Sequence, residues 1–163
     1  MRAHDIRNQF NTIQRVTVAT LNICLTILHQ ACGWELEDLR DFEDRYTKMA
    51  RLARAKDRYT LAGIKDTRER TDIHLHIDED VKETPENRLV EETWRQCFFV
   101  ALTVLKINNS KEALWNVADM FGDYMDAITD LDTGDSPEVK VERMSAAIDL
   151  MNETMRLMGR PEI

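Results

Sequence analysis

VTVATLNICLTIL (residues 16–28) and CFFVALTVL (residues 97–105) decide how the rest of this chain is read. Within the first, Leu21, Ile23, Leu25 and Ile27 alternate as a strand would, and its Thr, Val and Ile favour sheets. Length and flanks decide against that reading. Strands seldom exceed about ten residues, whereas Ile6, Phe10, Ile13, Val16, Leu21, Cys24, Leu25 and Leu28 recur at roughly helical spacing. The spacing predicts a helix from about residue 5 to 31, apolar nearly all round its middle and so buried. The uncharged run holds 13 residues, short of the roughly 18 that suggest a membrane span.

Working outward, Cys32-Gly33 ends this helix and a second covers about residues 35–57. Leu36, Leu39, Phe42, Tyr46, Met49 and Ala53 share one of its faces. Its acids precede its bases, an order that complements the helix dipole. Thr60 reads as the N-cap of a short helix to about Arg70, and DIHLHID (residues 72–78) as a brief extended segment. An acidic linker follows. Thr84-Pro85 then gives a cap and first-turn proline for a helix to about Asn108 that contains the second apolar run. An amphipathic helix over about 111–131, a loop at 132–136, and a last helix from Pro137 to Met158, stopped by Gly159, complete the chain.

The expected fold is therefore all-α, with about six helices. The pattern allows two pseudo-symmetric three-helix halves packed on two central apolar helices. Leu25-Thr26-Ile27-Leu28 matches Leu102-Thr103-Val104-Leu105, and Phe42-Glu43-Asp44 matches Phe121-Gly122-Asp123. On this reading residues 1–78 form the first half and 79–163 the second, in one unit.

Charge separates the halves. Of the net −8, residues 1–70 carry +3 and residues 71–163 carry −11. Direct nucleic-acid binding by the acidic half is disfavoured, because phosphate attraction needs clustered Lys and Arg. Three cysteines without a CxxC pair fit a reducing compartment. The charged opening MRAHDIRNQF is no signal peptide. Cytoplasmic location and no membrane insertion are expected.

Two groups of residues invite a chemical reading. His74, His76 and Asp78 alternate on one edge of the DIHLHID segment and resemble part of the HxHxDH metal motif of metallo-β-lactamase-like hydrolases. Glu79 stands where that motif has a further histidine, and a solvated edge is the simpler reading. Glu112, Asp119, Asp123, Asp126 and Asp130 fall within roughly 60° of one another on their helix. Three readings compete for that row: a solvated face, a negative docking surface, and a Mg²⁺ site of the kind used by all-α NTP pyrophosphatases. The paired glutamates of those enzymes are missing; only Asp38-x-x-Asp41 and Asp123-x-x-Asp126 occur. No catalytic triad, nucleophile elbow, P-loop or dinucleotide fingerprint is present, so no catalytic residue and no cofactor is expected.

The stretches LTILHQACGWELEDLRDFEDRY and YTLAGIKDTRERTDIHLHID, within residues 25–78, resemble small helical proteins of phages and prophages of Gram-positive bacteria. The shared features are a Gly-aromatic turn (Gly33-Trp34), a central Phe42, a Tyr-Thr-led short helix (Tyr59-Thr60) and an extended tail. Where the tail of that family has Gly, this chain has Asp72. The resemblance implies a phage-encoded protein and no particular activity. The function expected from charge and resemblance together is a non-enzymatic interaction module. It would bind a host or phage protein through its acidic face, as an inhibitor of a host or defence protein. A Mg²⁺-dependent nucleotide-binding protein is the alternative, and self-association as a homodimer is allowed by the apolar surface.

Overall fold

The computed structural model describes residues 3–77, 84–129 and 137–163, and these form six α-helices. They are α1 (Ala3–Gln30), α2 (Leu36–Arg54), α3 (Arg58–Thr71), α4 (Pro85–Ile107), α5 (Lys111–Thr129) and α6 (Pro137–Met158). Among the described residues there is no strand. Over residues 73–77 the DIHLHID segment has no regular secondary structure and pairs with nothing as a sheet among the described residues. It lies on the core by alternation, with Ile73, Leu75 and Ile77 buried and Asp72, His74 and His76 exposed.

Both apolar runs are helical and form the centre. Every residue from 20 to 28 in α1 and from 97 to 105 in α4 is buried. A helix buried on all sides needs neighbours on all sides, and these two supply one another and share the rest. α1 packs against α4, α5, α6 and α2; α4 packs against α1, α2, α3 and α5. Exchanging α1 with α4, α2 with α5 and α3 with α6 maps each helix contact onto another, with one exception. α2 meets α6, yet among the described residues α3 does not meet α5.

Threonines are tolerated in these buried helices because their hydroxyls bond back one turn. Thr26 donates to the carbonyl of Asn22 at 2.8 Å, and Thr103 to that of Phe99 at 2.6 Å. Across the core, Tyr46 of α2 donates its hydroxyl to the Thr17 carbonyl of α1 at 2.8 Å. The aromatic layer beneath α5 joins Phe121 to Phe98, with ring centroids 4.9 Å apart, and to Trp94 at 6.0 Å.

Caps follow the sequence in one case and differ in another. Thr84 accepts from the Asn87 amide, with Pro85 opening α4. The third helix, however, begins at Arg58 rather than after Thr60. Asp57 is its cap, accepting from both the amide and the hydroxyl of Thr60, at 3.0 and 2.8 Å. A carboxylate competes better than a hydroxyl for the free amides of a first turn, and those bonds hold the Asp57 carboxyl below its ordinary pKa. Asp72 ends α3 in the left-handed conformation at φ 52°, a geometry that glycine adopts freely and Asp tolerates.

Gly122 lies mid-helix in α5, and a β-carbon there would meet no atom within 4 Å. Gly122→Ala should therefore stabilise the protein by about 0.5–1 kcal/mol, since alanine loses less backbone entropy on folding. Thermal unfolding would show a midpoint raised by roughly 1–4 °C; a lowered one would mean that this position requires glycine.

Candidate functional site

α5 carries its apolar residues on one side. Ala113, Leu114, Val117, Phe121, Tyr124, Met125 and Ala127 are buried, and the spacing that buries them turns the acidic row outward. Glu112, Asp119 and Asp123 are exposed and Asp126 is half-buried; Asp130 lies outside the described residues. No salt bridge to a cation closes on Glu112, Asp119 or Asp123 among the described residues. These three carboxylates are left without an ion pair among the described residues.

Trp115 stands on the same side of the helix, roughly 60° around from Glu112 and 40° from Asp119, and is 43% exposed. The charge periodicity of α5 did not single it out, since tryptophan fits a core pattern equally well. An indole left open beside carboxylates is a frequent anchor in protein interfaces.

On its other flank Trp115 borders a cleft of about 510 Å³, lined also by Arg70 and Thr71 of α3, Lys106 of α4, Asn109, and Lys111 and Leu114 of α5. Asp66 lies against two of its cations, accepting from Arg70 at 2.7 Å and from Lys106 at 2.8 Å. The bond from Lys106, followed by that from Arg70, holds the Asp66 carboxyl below its ordinary pKa. α5 thus presents acid along its outer line and adjoins a basic hollow.

The remaining sequence candidates are placed apart from this surface. His74 and His76 point to solvent. His74 Nε2 lies 3.3 Å from Asp72, and Asp78 is outside the described residues. Among the described residues no three His, Cys, Asp or Glu side chains come together as a metal site. The carboxylate pairs Asp38/Asp41 and Asp123/Asp126 sit on α2 and α5, which do not touch among the described residues. Nor is any cysteine poised as a nucleophile. Burial pushes the Cys24 and Cys97 thiols up, and half-buried Cys32, bonded by Asn116 at 3.4 Å, is raised too. The first turns of α1 leave Ile6 and Phe10 exposed. No helix among the described residues is long and apolar enough to cross a membrane.

Comparison with protein families, with curated proteins and with solved structures finds no match.

Proposed function

We propose that this chain is a non-enzymatic interaction module which presents the outer face of α5 to a basic surface on a host or phage protein. In the phage setting implied by the sequence resemblance, it acts as an inhibitor of a host or defence protein. The reading rests on one observation: Glu112, Asp119 and Asp123 project together, with no salt bridge to them among the described residues, beside a half-open tryptophan. Their desolvation on docking is offset only by a partner that brings Lys or Arg of its own.

Charge reversal tests the reading. Immobilised protein would be used to capture binders from lysate of a Gram-positive host, with the Asp119→Lys/Asp123→Lys variant in parallel. Apposed like charges cost several kcal/mol, so the variant should lose roughly 100-fold or more in affinity. Both side chains are exposed, and its circular dichroism should be unchanged. Equal capture by the two proteins would remove α5 from the interface.

A further inference from the structure

The one break in the exchange symmetry of the helices is also where the basic cleft lies. On one side of the molecule the end of α6 reaches α2. Arg160, just beyond α6, donates to Asn22 of α1 and, at 2.9 Å, to Glu43 of α2. On the other side α3 has 14 residues against 22 in α6, and it stops at Thr71 without reaching α5. Gly122 stands at the position matched to Glu43, so α5 offers no carboxylate there to draw a cation across. The Arg68 guanidinium instead lies over the Phe99 ring, 4.7 Å from its centroid. The gap between α3 and α5 is left open.

We infer that this cleft binds a small aromatic phosphate, of the nucleoside diphosphate class, between Trp115 and the cations Arg70, Lys106 and Lys111. Four features support that ligand chemistry. Among the described residues the lining has three cations and no carboxylate, in a protein of net charge −8, and Asp66 meets two of those cations from outside the lining. Asp66 ties down two of those cations, so their ammonium and guanidinium groups are held in place before a ligand arrives. The indole provides a flat face on which a base can stack, one helical turn, or roughly 6 Å, from Lys111, a separation that a nucleotide spans from base to phosphate. The volume of about 510 Å³ falls in the range of small-molecule pockets, roughly 300–1,000 Å³. The site shares Trp115 with the acidic face but uses none of its carboxylates, and no metal ion takes part.

Calorimetric titration of the full chain with ADP, in low salt and without added metal, tests this. Adenosine and inorganic pyrophosphate serve as the partial ligands. ADP should bind more tightly than either. Lys111→Glu, a change at an exposed position, should weaken ADP by about tenfold or more. Trp115→Leu should reduce ADP to the affinity of pyrophosphate while the helical circular dichroism is retained. Four results would overturn the inference: no heat at millimolar ADP, equal binding of ADP and pyrophosphate by the unaltered protein, ADP binding indifferent to both substitutions, or tighter binding of a polyglutamate peptide than of ADP.

Discussion

Phe121→Ala is expected to destabilise the protein by about 3–5 kcal/mol, the usual cost of removing a fully buried ring. Phe121 has no exposed surface and stands where α5 meets α4, against Phe98 and Trp94. Neither neighbouring ring can move into the space, because each is itself packed in the core. The loss would be roughly a fifth or more of the stability of an ordinary domain. Denaturant unfolding should show a lower midpoint with the slope retained, while Phe121→Leu, which preserves most of the volume, should cost less than about 1.5 kcal/mol. A cost below about 1 kcal/mol for the alanine variant would mean that α5 is not seated on this layer. The acidic face would then lack the rigid backing that docking requires.

The second large effect is expected at Arg160, outside any helix. Its guanidinium makes two bonds to the Asn22 amide oxygen, at 3.2 and 3.1 Å, and one to Glu43. Asn22 is buried in α1. Arg160→Ala would leave that oxygen without its donor and separate the chain end from α1 and α2. The expected cost is about 2–3 kcal/mol, as for charge-assisted bonds with little solvent around them. Lysine should restore only part of it, because an ammonium cannot reproduce the planar fork. The Arg160–Glu43 pair is largely covered, so the effect should persist in high salt. An unchanged unfolding midpoint in Arg160→Ala would show that the link carries no stability.

The helices were legible in the sequence because their signals are local. Periodicity placed α1, α2 and α5, Thr84-Pro85 marked the start of α4, a capping residue pointed to α3, and Gly159 marked the end of α6. The start of α3 was misjudged for a local reason as well. Asp57 and Thr60 are both capping residues, and only the geometry of the turn shows which accepts the bonds. The outward acidic row could be read from spacing, since burying Val117 and Phe121 leaves Asp119 and Asp123 on the opposite side. The basic cleft could not. It joins Arg70, Lys106 and Trp115 from three helices, and nothing in their spacing along the chain brings them together. The charge count pointed away from it, because a half carrying −11 conceals Lys106 and Lys111 among its acids.

Residue-resolved amide hydrogen exchange tests the architecture most directly, since both the docking face and the cleft depend on α1 and α4 being its innermost pair. The amides of residues 20–28 and 97–105 should exchange slowest of all, opening only with global unfolding, while the exposed first turns of α1 exchange early. Should those two runs exchange ahead of α2 and α5, they would not be the shared centre, and the surfaces built on them would lose their support.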